Sequence, residues 1–152
     1  MSSMYLSLPA NLSSLPMPDT GGEWKPFWEG TARGALLIQQ CTDCGQRQSY
    51  PRLICTSCGG EPSWLEASGR GVVHTFTVIR QNQVRPFSEM APYVVAIVEL
   101  REGVRMMTNI VDCQLQDVRV GMKVKLRMVE AKPDVSLPYW VPDDIERTGR
   151  KA

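Results

Sequence analysis

Three observations in this 152-residue chain predict a mainly β protein: a short N-terminal helix, a small four-cysteine ribbon, then a compact barrel. Two Cys-x-x-Cys pairs, each followed by glycine, lie between residues 41 and 60. From residue 71 onward the chain is dominated by β-branched runs and apolar/polar alternation, the period of a strand. Upstream of the cysteines, only EWKPFWEGTARG carries helical spacing.

Residues 1 to 23 are rich in Ser, Pro, Leu and Met without a period. They read as an extended arm, disordered alone or laid on a partner. In the helix that follows, Pro26 is tolerated in the first turn, where a backbone N–H has no partner anyway. Gly34 suits its end, and Gly30 keeps it short. Trp24, Phe27 and Trp28 fall on one face. GALLIQQ enters Cys41 as a strand, PSWLEAS (62 to 68) forms another, and SGRG (68 to 71) is a turn.

GVVHTFTVIRQ (71 to 81) and the apolar run PYVVAIVELR (92 to 101) are strands. A Glu102-Gly103 turn makes a hairpin of the latter with VRMMTNIVD (104 to 112). DVRV and Gly121 predict one helical turn or a tight loop. MKVKLRMVE (122 to 130) then alternates, with Val124, Leu126 and Met128 inward and Lys123, Lys125 and Arg127 outward. KPDVSLPYWVPDDIERTGRKA is read as a tail ending in a charged, mobile segment. The chain thus divides into an arm (1–23), helix and ribbon (24–67), barrel (68–141) and tail (142–152). Four or five short strands close most economically as an OB-type Greek-key barrel, with a sandwich as the alternative.

Seventeen Lys and Arg against sixteen Asp and Glu give a net charge of +1, and the pI is near 7.6. That balance argues against a nucleic-acid binder, whose domain pI usually exceeds about 9. No apolar run approaches the roughly 18 residues of a membrane span. The first basic residue is Lys25, so the charged start of a secretory signal is missing and a cytoplasmic protein is expected.

Cys41, Cys44, Cys55 and Cys58 form C-x₂-C-x₁₀-C-x₂-C. Two intervening residues let both sulfurs of a pair face one point, and Gly45 and Gly59 relieve the tight turn behind them. Four thiolates at about 2.3 Å fill a tetrahedral zinc shell and leave no position for water, so the metal is structural. Iron in the same cage is the remaining alternative. Disulfides are disfavoured in a cytosolic chain, and a thioredoxin-type redox pair needs a βαβ unit that is not visible.

Cys113 reads as a small half-buried apolar residue, with a thiol nucleophile as the alternative. His74, the only histidine, lies within a β-branched strand and reads as structural. The chain has no G-x-S-x-G, phosphate-cradling loop or dinucleotide fingerprint. No catalytic residue is picked out, which argues against an independent enzyme. Trp24, Phe27 and Trp28 are core or a partner-docking face. Arg33, Arg47, Arg52 and Arg70 are solvated surface or contacts to the phosphates of a ligand.

The order PFWEGTARGALLIQQCTDCG, YPRLICTSCGG, SGRGVVHTFTV, PYVVAIVEL and IVDCQLQDVRVGMKVKL resembles the zinc-ribbon/OB-fold proteins associated with acyl-CoA metabolism. The likeness spans residues 24 to 140. It implies a rubredoxin-like ribbon before the OB barrel, with Cys41, Cys44, Cys55 and Cys58 as zinc ligands. It also implies a companion subunit of a thiolase-like protein that holds the catalytic groups, with a CoA thioester as ligand of the complex. The reactions implied are thiolytic or retro-aldol carbon–carbon cleavage, or acyl transfer, on substrates such as benzoylsuccinyl-CoA or steroid side-chain CoA esters. A nucleic-acid module, presenting Phe76, Phe87 and Tyr93, and a free acyl-CoA-binding protein are the competing readings.

Overall fold

The computed structural model describes residues 4–143. The chain opens with a two-residue strand, β1 (Tyr5–Leu6), and a 3₁₀ turn at Leu12–Ser14. A second 3₁₀ turn runs into helix α1 (Lys25–Ala32), which has proline in its first turn and is left through Gly34 at φ +83°. Gly30 is needed for contact: a Cβ there would lie 2.8 Å from Leu37 Cγ and 3.0 Å from the Ala35 carbonyl. The helix therefore lies directly on the strand that follows it, β2 (Leu37–Cys41).

β2 pairs antiparallel with β3 (Arg47–Gln48) on one side and β4 (Pro62–Glu66) on the other, making the ribbon sheet. Next come β5 (Arg70–Ile79), the short helix α2 (Phe87–Met90), β6 (Tyr93–Leu100) and β7 (Arg105–Ile110). β8 (Cys113–Gln114), β9 (Lys123–Lys132) and β10 (Val135–Pro142) complete the order. The barrel closes as β10-β7-β6-β5-β9, with β9 and β10 antiparallel and β7 and β10 parallel. The hairpin at Glu102-Gly103 forms with Gly103 at φ +84°. On β9, Val124 is buried and Leu126 and Met128 half-buried, while Lys123, Lys125 and Arg127 are exposed, as the alternation predicts.

One hydrophobic core serves ribbon and barrel together. Phe27 of α1 and Leu36 and Ile38 beside and on β2 join Val73, Val94, Val98 and Trp140 of the barrel. Burying a side chain of this size is worth roughly 1.5–3 kcal/mol, so the ribbon leans on the barrel for energy its few residues lack.

Two segments depart from the sequence reading. The arm, expected to be disordered or laid on a partner, is laid on its own barrel. β1 pairs with β8, the Asp112 N–H donates to the Leu6 carbonyl at 2.7 Å, and the Leu115 N–H donates to the Met4 carbonyl at 2.8 Å. Leu6 enters the main core, while Leu8 and Leu12 cover Val111, Tyr139 and Val141. A two-residue strand leaves no period to read. The second departure is β10: the sequence reading counts its residues up to 141 in the barrel but assigns them no strand, and Pro138 and Pro142 fall within it. The Pro138 carbonyl accepts the Thr108 hydroxyl at 3.1 Å, so that edge of the residue faces β7. There the parallel ladder has its one rung at Trp140 and Ile110, and a missing N–H at Pro138 interrupts nothing. Of the tail (142–152), Asp143 donates its N–H to the Lys123 carbonyl and ion-pairs with Arg70; the expected mobile segment lies outside the described residues.

Leu6→Ala should lower the unfolding free energy by about 2–5 kcal/mol, because it opens a cavity under the arm. Leu53→Ala, at a side chain 76% exposed, should change it by no more than about 0.5 kcal/mol. Chemical denaturation of the two variants checks the pair.

Candidate metal centre and its surroundings

Two knuckles bring the four cysteines together. In each, the amide two residues beyond the pair's first turn closes on the first cysteine: Gly45 N–H donates to the Cys41 carbonyl at 3.1 Å, and Gly59 N–H to the Cys55 carbonyl at 3.0 Å. Gly45 and Gly59 sit at φ +74° and +77°, where a side chain would be strained. All four Sγ atoms lie within 4.8 Å of one another, with Cys41 and Cys58 3.5 Å apart and Cys44 and Cys55 3.7 Å apart. A tetrahedron with metal–sulfur bonds of about 2.3 Å has edges of about 3.8 Å. The donor set therefore fits zinc, and every ligand position is taken by sulfur, which makes the metal structural.

The surrounding electrostatics say the same. The amides of Cys58 and Ser57 lower the Cys55 thiol to about 7. The Gly60 amide pulls Cys58 the same way, but the sulfurs of Cys44 and Cys41 outweigh it and push that thiol up to about 12. Four facing thiols cannot all ionise without a cation among them.

The sequence reading missed what holds the second knuckle in place. Gln39 on β2 and Gln48 on β3 are 5% and 9% exposed. The Gln48 amide donates to Gln39 Oε1 at 2.7 Å, and Gln39 clasps both the N–H and the carbonyl of Arg52, at 2.9 and 3.1 Å. Gln48 Oε1 accepts the Thr56 N–H at 3.1 Å. A buried amide pair thus carries the loop between the knuckles. In the sequence these are two ordinary polar residues, and only the alternation of QQ before Cys41 hinted that one faces inward.

The aromatic cluster is split. Phe27 is buried in the core, while Trp24 and Trp28 are half-buried. Trp24 meets Phe27 and Tyr50 edge-on, with ring centres 5.3 and 6.0 Å apart, and Phe27 meets Trp28 at 5.0 Å. Trp24, Trp28, Tyr50, Met106, Met107 and Pro138 line a groove of about 170 Å³ between helix, ribbon and barrel.

The four arginines differ in their partners. Arg47 donates to the Glu102 carbonyl at 3.2 Å, tying ribbon to barrel, and Arg70 pairs with Asp143. Arg33 and Arg52 have no acidic partner among the described residues. His74 takes the extra position of a β-bulge between Val73 and Thr75 and is exposed, not packed. Cys113 is buried; its thiol is pushed up to about 11 by burial and then by the charge of Asp117. Phe76 packs against the core, and Phe87 and Tyr93 pair with each other at 6.4 Å.

Cys41→Ser or Cys55→Ser should reduce bound zinc from about one per chain to near zero, read by elemental analysis. Gln39→Ala should leave zinc bound yet cost about 1–3 kcal/mol, since it strands buried amide groups. Faster hydrogen exchange at the Arg52 and Thr56 amides would report it. Iodoacetamide at pH 8 should leave Cys113 unmodified in the folded protein, because the thiol ionises only near its raised value; mass spectrometry of the peptide checks this.

Comparison with known proteins agrees with this geometry. Residues 28–63 match the family model of the ChsH2 rubredoxin-like zinc ribbon domain, and residues 64–129 match that of the ChsH2 C-terminal OB-fold domain. A DUF35 domain-containing scaffold protein from Methanothermobacter thermautotrophicus is 39% identical over 72% of this chain and 81% of its own length. A "Probable enoyl-CoA hydratase alpha subunit" from Thermomonospora curvata is 37% identical over 76% of this chain, which spans 36% of that protein. Among solved structures, a chain of the "Ltp2-ChsH2(DUF35) aldolase" superposes with a TM-score of 0.74 at 35% identity, covering 83% of this chain and 98% of that one. With a four-sulfur ribbon feeding an OB barrel in matching order, this chain belongs to the DUF35 family, in its ChsH2-type arrangement.

Proposed function

We propose that the chain is a non-catalytic scaffold subunit of an acyl-CoA-processing complex, with a thiolase-like protein as its partner. The observation that carries this reading is the likeness to the DUF35 chain of the aldolase named above, almost the whole of which this ribbon and barrel cover. A relative named as a scaffold and another named as a hydratase subunit support it. So does the metal centre, whose four sulfurs occupy every position at which a water could be activated. In this reading the partner supplies the nucleophile and the acid and base groups for thiolytic or retro-aldol cleavage, or for acyl transfer. This chain supplies a rigid wall beside the bound CoA thioester. Arg33, exposed and without an acidic partner among the described residues, is the arginine best able to meet a CoA phosphate.

A second reading, a subunit of an enoyl-CoA hydratase, is favoured by the relative from Thermomonospora curvata. The two are separated by what the chain assembles with. Co-expression with a thiolase-like protein from the same organism should give one stable complex by size exclusion. That complex, and neither chain alone, should consume an acyl-CoA thioester. Turnover by the isolated chain would overturn the scaffold reading, and assembly with a hydratase-type subunit instead would move it to the second.

A further inference from the structure

We infer that the loop from Tyr50 to Ile54, with the aromatic groove beside it, is where the partner subunit seats, and that the partner presents an apolar knob bordered by carboxylates. The inference rests on the scaffold reading above and names the surface that serves it.

Three large apolar side chains are exposed within five residues: Tyr50 at 48%, Leu53 at 76% and Ile54 at 60%. Met107 on β7, at 60%, lies across the groove from Tyr50 and extends the same face. Leu53 and Ile54 do not line the groove themselves but follow along the chain from Tyr50, which does. Exposed apolar side chains clustered in this way mark an interaction site, where single scattered residues do not. Val84 and Val120, each 64% exposed, are such scattered residues.

This exposure is enforced. Pro51 is buried, Arg52 is held at both its N–H and its carbonyl by Gln39, and two residues beyond Leu53 the chain is fixed by Cys55 in the metal cage. With its backbone clasped from both sides, the loop cannot turn Leu53 and Ile54 inward. A loop already ordered gives up little conformational entropy on docking, so its apolar anchors bind efficiently.

The border of the face is cationic. Arg52 sits between the anchors and has no acidic partner among the described residues. Arg47 spends its guanidinium on a carbonyl, not a carboxylate. The hollow it lines, which adjoins the groove through Ser49, also holds Glu99, but that carboxylate is paired with Arg105, so the charge of Arg47 is left over. A second copy of this chain would bring these arginines together, whereas a surface edged by Asp and Glu would complement them.

The test is complex formation with the co-expressed thiolase-like subunit, measured by titration calorimetry on zinc-loaded protein. Leu53→Asp combined with Ile54→Asp should weaken binding by about 30-fold or more, the scale of a lost anchor. Arg52→Glu should weaken it and Arg52→Lys should not. Val84→Asp and Val120→Asp should stay within about threefold of the parent. All of these side chains are exposed, so each variant should keep its zinc and its Tm. If the parent complex forms and the Leu53/Ile54 variant binds equally well, this face is wrong and the scaffold reading survives. If the parent forms no complex, both fall. A parent chain that dimerises alone, and is made monomeric by the same two substitutions, assigns the face to a second copy and overturns the proposal.

Discussion

Four sulfurs that must meet at one point set the shape of everything around them. Cys41 ends a strand and Cys55 follows a loop, so convergence fixes where β2 stops and where the second knuckle begins. Mutual repulsion keeps the four thiols from all ionising without a cation, while the knuckle amides favour the thiolate form that a metal takes up. From that fixed point β2 extends back toward α1, and Ile38 on it and Leu36 just before it join the ribbon to the barrel core.

The ribbon and the barrel are often thought of as two modules, and here they act as one body. Leu36 and Ile38 are as deeply buried as Val94 and Val98. Arg47 and Ser49 reach from the ribbon to the carbonyls of Glu102 and Arg105 on the barrel hairpin. Hydrogen bonds of this sort contribute little singly, but together with the shared core they tie the ribbon to the β6–β7 hairpin. A stiff joint suits a part that works by position.

The parts legible in the sequence are those with a period or a spacing. The cysteine pairs, the alternating Val124, Leu126 and Met128, the Glu102-Gly103 turn and the Pro26-to-Gly34 helix all announce themselves through local chemistry. The parts that were not legible depend on distant neighbours. Leu6 has no periodic company and becomes core because β8 offers it a ladder a long way down the chain. The stretch that becomes β10 has no clean alternation, and Pro138 within it is tolerated because the adjoining edge of the barrel asks nothing of its nitrogen. Gln39 and Gln48 look like surface residues until β2 and β3 pair and each finds the other. At the metal site the ligands were readable and their supporting amides were not. The exposed Leu53 and Ile54 carried no signal beyond two apolar letters before a cysteine.

The strap between β1 and β8 has a consequence for the order of folding. Its partners, Leu6 and Cys113, are about a hundred residues apart, a contact order typical of slow β topologies. The whole ribbon lies inside the loop that this pairing closes. Tying Cys41 to Cys58 through a metal shortens that loop, and closure entropy falls only logarithmically with length, by about 0.6 kcal/mol per halving. The ion's help to the strap is therefore small, and the strap is held instead by its own ladder to β8 and by the burial of Leu6 in the core.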